Sequence, residues 1–195
     1  MKKTALDAIA IRPATPDDAM AIAELKVITW RDSYAGLMPD SALASLDARA
    51  EAPHWRDWLE DTTSGLIALV LEEAGHLIGY GLAGPMRKGD REGSEIDADA
   101  EIYAIYIHPE RQRAGFGKQL FAGLAERLID AGYAMAGLWM VGGNDKAENF
   151  YQAIGGEEQG KRVEIVNGRI AFREKGWLWR DLRQLRTRLT LKSIA

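Results

Sequence analysis

The chain has 195 residues, of which 47% are hydrophobic and 28% are charged, as expected for a globular protein that can bury a core. It contains no cysteine, which excludes disulfides, thiolate metal sites and a cysteine nucleophile, and suits a reducing compartment. The formal net charge of −4 gives no reason to expect nucleic acid as a partner, and no apolar run approaches the roughly 20 residues that span a bilayer.

The first ten residues carry two lysines but lack the apolar stretch and cleavage pattern of a signal peptide, so we expect a cytoplasmic protein with no membrane partner. His54 and His76 have no neighbours at ligand spacing, and we predict no metal site. No linker or repeat divides the chain. We expect a tail over residues 1–8, one domain over 9–180, and an amphipathic C-terminal tail over 181–195.

Apolar periodicity and turn signals predict the elements in chain order. Thr15, followed by proline and two acids, is a typical helix start, and the Asn167-Gly168 dipeptide predicts a hairpin. Residues 84–98 are rich in Gly, Asp and Glu without apolar periodicity, which predicts a mobile loop. We predict strands over 9–12, 66–71, 77–83, 101–107, 136–141, 162–166 and 169–178. We predict helices over 15–30, 40–46, 49–59, 116–129, 146–154 and a short amphipathic stretch near the C-terminus.

Charge is distributed unevenly along the chain. Both charged runs can be solvated surfaces, and the acidic run can instead help to attract a cationic substrate. The acidic run consists of Glu92, Glu95, Asp97, Asp99 and Glu101, and the basic run consists of Arg180, Arg183, Arg186, Arg188 and Lys192.

A glycine-containing turn joins the strand that begins at Glu101 to the next helix. Glycine lets the backbone approach a ligand closely, and the first N–H groups of a helix favour an anion such as pyrophosphate. Arg111, Arg113 and Lys118 add positive charge near this turn. The Walker and dinucleotide-binding patterns fail, because Gln112 and Gln119 stand in the Walker positions and Leu120 replaces the third dinucleotide glycine. A purely structural turn remains an alternative.

Two blocks of sequence resemble the GNAT family of N-acetyltransferases. The first is Ile107-His108-Pro109 followed by Gln112-x-x-Gly115-x-Gly117, which is similar to the family's acyl-CoA motif. The second runs from the predicted strand at Leu138 through Asn144, Ala147 and Phe150-Tyr151 to Gly155-Gly156. The element order matches the family from about Ile9 to Leu178. The resemblance implies an α/β fold with a central, mostly antiparallel sheet of about seven strands, helices on both faces and a splayed strand pair that binds acetyl-CoA.

The resemblance also implies which residues contact acetyl-CoA. Backbone N–H groups from Gln112 to Lys118 would hold the pyrophosphate, the backbone near Ile105 to Ile107 would pair with the pantetheine arm, and Asn144 would hold that arm from the other side. The implied cofactor-binding residues are Ile105, Tyr106, Ile107, Gln112, Arg113, Ala114, Gly115, Phe116, Gly117, Lys118, Asn144 and Tyr151.

Direct transfer of an acetyl group needs a proton acceptor for the amine. Glu101 is the candidate base, on the strand that leads to the cofactor turn, although a solvated carboxylate at a strand end is an alternative. The resemblance implies that Tyr151 protonates the leaving thiolate, with a packing aromatic beside Phe150 as the alternative. His108 is a weaker candidate base, because a His-Pro corner is usually structural.

The acceptor amine is expected to be small and cationic, such as a polyamine, an amino acid or an aminoglycoside, although a protein amine is an alternative. Trp30 and Tyr34 are candidate acceptor contacts together with Glu101, but both aromatic rings can instead be packing residues.

Trp177 and Trp179 would suit a homodimer interface if exposed, and core packing explains them equally well. A non-catalytic acyl-CoA-binding module of the same fold is the main rival function. Gly155-Gly156 replaces the family's usual Gly-Phe, which predicts a looser corner there.

Overall fold

A computed structural model describes residues 9–87, 95–166 and 169–191. All predicted strands and helices are present, with ends that differ by a few residues. The strands are β1 (Ile9–Pro13), β2 (Ile67–Glu73), β3 (His76–Pro85), β4 (Ala100–Ile107), β5 (Ala136–Val141), β6 (Glu157–Val166) and β7 (Arg169–Trp179). The helices are α1 (Ala19–Ser33), α2 (Asp40–Ala44), α3 (Ala48–Glu60), α4 (Phe116–Asp130), α5 (Asp145–Ala153) and α6 (Leu182–Leu191).

The seven strands of the described residues form one sheet in the order β1-β2-β3-β4-β5-β7-β6. The pairs β1–β2, β2–β3, β5–β7 and β6–β7 are antiparallel, and β4–β5 is parallel. The pairing of β4 with β5 joins Ala100 to Ala136 and Glu101 to Gly137, at the start of both strands. This mixed, mostly antiparallel α/β arrangement confirms the predicted fold class.

The chain forms two compact units, which are described separately. Unit 1 comprises Met1–Ala83 and Ala104–Leu124, and unit 2 comprises Gly84–Tyr103 and Ala125–Ala195. Strand β4 and helix α4 each contribute residues to both units. No helix within the described ranges is both long and apolar enough to cross a bilayer.

In unit 1, the start of α1 is fixed by a capping box and an ion-pair cluster. Thr15 precedes a single turn of 3-10 helix, and the Asp18 carboxylate accepts hydrogen bonds from the Thr15 N–H at 2.7 Å and from its hydroxyl at 3.0 Å. The Arg12 guanidinium bridges Asp18 and Glu72, which ties α1 to β1 and β2. The core below this cluster includes Ile22, Leu25, Val70, Leu71 and Leu120.

In unit 2, strands β5 and β7 present two faces that carry different residues. Register partners share a face of a sheet, so Glu101, Gly137 and Leu178 lie on one side, here called the Glu101 face. Leu138 and its partner Trp177 lie on the other side, here called the Trp177 face. Trp177 and Trp179 are only 4% and 2% exposed, so they are core residues. An interface role for these two tryptophans is therefore wrong.

Helix α6 belongs to the packed core of unit 2. Its residues Leu182, Leu185 and Leu189 are buried, which confirms the predicted amphipathic pattern. Its basic residues make surface pairs, since Arg186 lies 3.9 Å from Glu126, and Arg180, just before the helix, lies 3.0 Å from Glu157.

Among the boundaries that differ from prediction, those of β3 and β6 change how the neighbouring segments are described. Strand β3 continues through Pro85, two residues into the predicted mobile loop, and Ile96 at the far end of that segment is buried. Strand β6 begins at Glu157, five residues before its predicted start, because an irregular register between Glu158 and Lys161 lets polar residues pair. Residues 88–94, which include Glu92, the Asn167-Gly168 hairpin turn and Lys192 lie outside the described residues.

Candidate functional site

The turn between β4 and α4 is held by its own hydrogen bonds. The Gln112 side chain donates from Nε2 to the Ile107 carbonyl at 3.1 Å, and the Gln112 N–H donates to the Pro109 carbonyl at 3.3 Å. Arg113 and Gly115 adopt left-handed backbone conformations, with φ of 67° and 87°. Such conformations inside a turn can gather successive N–H groups around a concave surface that binds anions.

The backbone N–H groups of this turn divide into two sets. The Lys118 and Gln119 N–H groups both donate to the Gly115 carbonyl, at 3.1 and 3.2 Å. The Gln112 and Lys118 N–H groups are therefore bonded within the turn, although both were predicted to contact pyrophosphate. The N–H groups of Phe116 and Gly117 lie in the first turn of α4, where no carbonyl four residues earlier can accept them within the helix.

The surroundings of the turn fit an anionic ligand. Arg113, Ala114 and Gly115 are exposed, and a Cβ built on Gly115 would meet no atom within 4 Å. Arg111 is held by an ion pair with Glu73, so its charge is already partnered. Arg113 and Lys118 then remain as the other predicted cations of the turn, on either side of Gly115. This donor set suits a phosphate group.

Tyr34 and Tyr106 meet in unit 1. Their hydroxyl oxygens are 2.8 Å apart, and the Tyr106 ring packs 5.4 Å from Tyr80. Trp30 contacts Tyr34 edge-on, with 5.2 Å between ring centroids. Trp30, Tyr34 and Tyr106 are half-buried, whereas Tyr80 is buried. The structure therefore brings both predicted acceptor aromatics into one cluster with a predicted cofactor residue.

Glu101 is buried and paired, and its environment was not foreseen from the sequence. Its side chain is 1% exposed, and Arg87 contacts both carboxylate oxygens. Arg87 donates from Nη2 to Oε1 at 2.5 Å, from Nε to Oε2 at 3.0 Å, and from its backbone N–H to Oε2 at 3.2 Å. The alternative of a solvated carboxylate is therefore wrong. The signal that could have found Arg87 is physical, because a buried carboxylate requires a cationic or hydrogen-bonding partner.

A second cluster on the Glu101 face of unit 2 repeats this arrangement. Arg162 donates to Glu174 at 2.6 Å and lies over the Trp139 ring, with 4.1 Å between the guanidinium and the ring centroid. In the same way, Arg87 lies 4.4 Å above the Tyr103 ring. The Arg162 and Glu174 side chains are only 10% and 9% exposed, so this second pair is almost fully buried.

Tyr151 lies on the Trp177 face of unit 2. Its ring packs against Phe150 at 5.5 Å, Trp179 at 5.9 Å and Trp177 at 6.1 Å, and the residue is 7% exposed. Tyr151 and Glu101 therefore lie on opposite faces of this part of the sheet. The packing expected of a core aromatic is present, and the catalytic role of the Tyr151 hydroxyl stays a prediction.

Asn144 begins helix α5. Its side-chain oxygen accepts a hydrogen bond from the Ala147 N–H at 3.1 Å, which is an ordinary N-cap and explains the N-x-x-A spacing. Gly143 precedes it with φ of 89°, and the Gly142 N–H donates to the Arg173 carbonyl at 2.7 Å. The side-chain oxygen of Asn144 is thus committed to the helix, while its amide nitrogen can serve a ligand as a donor.

The Gly155-Gly156 corner is filled, so the predicted looser corner is wrong. A Cβ on Gly156 would lie 2.8 Å from the Trp179 ring and 3.0 Å from the Trp177 ring. Arg188 donates to the Ile154 carbonyl at 2.8 Å. Tryptophans of β7 therefore occupy the space that a phenylalanine side chain at position 156 would need.

Other predicted residues have structural roles. His108 accepts a hydrogen bond from the Glu110 N–H through Nδ1, and its own N–H donates to the Ile78 carbonyl, as expected for a structural corner. Asp99 accepts hydrogen bonds from the N–H groups of Ala134 and Met135, both at 2.9 Å. Across the described ranges, no group of three or more acidic or histidine side chains could hold a metal ion.

The sequence and the fold were compared with known proteins. Residues 26–155 match the family model described as the acetyltransferase (GNAT) family. The chain is 32% identical over 181 residues to the uncharacterized N-acetyltransferase YuaI of Bacillus subtilis, covering 93% of this chain and 98% of that one. It is 26% identical over 148 residues to the L-amino acid N-acyltransferase MnaT of Escherichia coli, covering 75% and 78% of the two chains.

The fold is also similar to solved structures. The PaiA N-acetyltransferase of Thermoplasma acidophilum, solved in complex with coenzyme A, superposes with a TM-score of 0.66 at 19% identity, covering 87% of this chain and 98% of that one. The family model spans about two thirds of the chain, and the Bacillus relative aligns along nearly its whole length. The chain therefore belongs to the GNAT acetyltransferase family.

Proposed function

We propose that this acetyltransferase moves the acetyl group of acetyl-CoA to a primary amine of a small acceptor by direct attack, with Glu101 as proton acceptor and Tyr151 as proton donor. The observation that carries the cofactor assignment is the turn between β4 and α4. Left-handed backbone at Arg113 and Gly115, open space at Gly115 and first-turn N–H groups of α4 together support a phosphate site at this turn.

The cofactor assignments follow from this turn and from family membership. The N–H groups from Arg113 to Gly117 would hold the pyrophosphate, and the side chains of Arg113 and Lys118 would balance its charge. Backbone groups from Ile105 to Ile107 would contact the pantetheine arm, at a strand end that Gln112 fixes through the Ile107 carbonyl. The Asn144 side-chain nitrogen would donate a further hydrogen bond, because its oxygen caps α5.

Bound acetyl-CoA supplies a thioester whose carbonyl carbon an amine can attack. Glu101 would take the proton that the amine loses, and the Tyr151 hydroxyl would give a proton to the leaving sulfur. Because the nitrogen and the sulfur are bonded to the same carbon during transfer, the two residues would have to approach that carbon from opposite faces of the sheet.

The hydrogen-bond partners of Glu101 and Asp99 bear on whether the acidic run attracts a cationic acceptor. Arg87 balances the charge of Glu101, and Asp99 accepts two backbone N–H groups. These two members of the acidic run therefore give little support for a polycationic acceptor. The E. coli relative is named for L-amino acids. We therefore place amino acids first among small acceptors, and a protein amine second.

The test is a screen of amines at saturating acetyl-CoA, which starts with L-amino acids and continues with polyamines, aminoglycosides and an N-terminal peptide. With the best acceptor, Glu101→Gln and Tyr151→Phe should each lower turnover about 10²- to 10⁴-fold, while affinity for acetyl-CoA stays within about twofold. Wild-type turnover in both variants would contradict these roles. Normal binding of acetyl-CoA without transfer to any amine would instead favour the non-catalytic rival.

A further inference from the structure

Arg87 supplies all three hydrogen bonds that the structure shows for the Glu101 carboxylate within the described residues. The two residues differ in exposure, since the Arg87 side chain is 59% exposed and that of Glu101 is 1% exposed. Burial disfavours an ionised carboxylate, whereas hydrogen bonds from a guanidinium and a backbone N–H favour it. The orientation of the Glu101 carboxylate thus depends on Arg87.

We propose that Arg87 is a positioning residue of the transfer reaction, which pairs with the buried Glu101 carboxylate and holds it in one orientation. This inference rests on the proposed function. In the step concerned, an N–H bond of the amine breaks and an O–H bond forms on Glu101, which later releases that proton to water. Arg87 stays protonated throughout and touches neither the amine nor the thioester.

The guanidinium is itself held in place. Its central carbon lies over the Tyr103 ring, 4.4 Å from the ring centroid, and the Tyr103 hydroxyl donates to the Pro85 carbonyl at 2.6 Å. The Nε and Nη2 atoms meet the two carboxylate oxygens side-on, which fixes the relative orientation of the two groups. A lysine could supply the charge but not this geometry.

The charged and titratable groups around Glu101 leave Arg87 ionised. The hydrogen bond with Glu101 is the largest cause that raises the pKa of Arg87, and Glu174 and Tyr103 raise it further. Burial raises the pKa of the Tyr103 hydroxyl, as do Glu101 and, more weakly, Tyr133. Neither Arg87 nor Tyr103 therefore changes charge near neutral pH.

The test is the pH dependence of kcat/KM for wild type and for Arg87→Gln, with an amine acceptor that the wild type acetylates. We expect the acidic limb of the profile to move to higher pH by at least one unit in R87Q, because the buried carboxylate loses guanidinium donors that favour its ionised form. Activity at high pH should recover to within several-fold of wild type. Arg87→Lys should show a smaller shift, because it keeps the charge alone.

Arg180→Gln is the control. It removes the arginine of an exposed arginine–glutamate pair of unit 2, and the acidic limb of its profile should stay at the wild-type position. A second measurement is the pH profile of Arg87→Ala with and without millimolar guanidinium chloride. Added guanidinium should return the acidic limb of that profile toward its wild-type position. An unmoved limb in R87Q, or a rescue experiment without effect on R87A, would overturn the inference.

The outcome for Glu101→Gln separates this inference from the proposed function. Wild-type turnover in E101Q would remove Glu101 as the base, and the role of Arg87 would fail with it. An inactive E101Q together with an unmoved limb in R87Q would overturn the role of Arg87 alone.

Discussion

The turn from Ile107 to Lys118 and the surroundings of Glu101 both adjoin strand β4. Backbone atoms form the turn, whereas side chains form the surroundings of Glu101. The turn is made by the backbone, through left-handed conformations at Arg113 and Gly115 and N–H groups that point out of a helix start. The surroundings of Glu101 are made by side chains, through Arg87 and the ring of Tyr103. A backbone site depends on local sequence, whereas a side-chain site depends on residues that only the fold brings together.

The largest effect is expected from a change in a buried side-chain cluster. Arg162→Gln removes one partner of an ion pair whose side chains are 10% and 9% exposed. We expect the free energy of unfolding to fall by about 3–5 kcal/mol, because the change removes one partner of a buried ion pair and leaves the other in place. Chemical denaturation measures this change.

Arg180→Gln is the control for that prediction, because its pair with Glu157 is more than half exposed. It should cost less than about 1 kcal/mol. Equal losses in both variants would mean that burial does not determine how much these ion pairs contribute to the free energy of unfolding.

The second prediction concerns a side-chain cluster of unit 1. The Arg12 guanidinium lowers the pKa of Asp18 from 3.8 to about 2, with help from hydrogen bonds of Thr15. A lowered folded-state pKa stabilises the protein above the unfolded value, and that stability is lost as the pH falls from about 5 to about 2. We expect a contribution of about 1–2 kcal/mol, discounted because Arg12 is 35% exposed.

Unfolding experiments at several pH values check this contribution. The stability difference between wild type and Asp18→Asn should shrink as the pH falls through that window, while Asp17→Asn, whose carboxylate is 96% exposed, should show no such trend. A difference between wild type and Asp18→Asn that does not change with pH would contradict the assignment to Arg12.

The third and smallest effect tests the backbone site. Gly115→Ala places a side chain at φ of 87° in open space, so we expect a strain of about 1 kcal/mol and a several-fold loss of acetyl-CoA affinity. Gly75→Ala is matched to it, since Gly75 has φ of 82° and equally open space in the β2–β3 turn. It should cost the same stability and leave affinity unchanged. Equal affinity losses would show that strain, not the phosphate site, is being measured.

The same contrast explains what the sequence could predict. The order of the elements and the glycine turn follow from apolar periodicity, proline and glycine positions, and helix-start signals, all of which are local. The start of α5 at Asn144 is similarly local, because an Asn side chain caps the helix through the N–H of Ala147 three residues later. Family resemblance then linked these local features to acetyl-CoA.

The features that the sequence could not predict depend on distant residues. Arg87 lies in a stretch with no apolar periodicity, and only the fold places it against Glu101, fourteen residues later. The Gly156 corner looked empty because the side chains that fill it come from Trp177 and Trp179. Both tryptophans lie in a strand whose alternation does not reveal which face is covered.

Calorimetric titration of the purified protein tests whether the turn between β4 and α4 belongs to an acetyl-CoA site. We predict saturable binding of acetyl-CoA, weaker binding to Gly115→Ala than to Gly75→Ala, and no saturable binding of ATP under the same conditions. Binding of ATP in place of acetyl-CoA, or no binding of acetyl-CoA at all, would contradict that assignment.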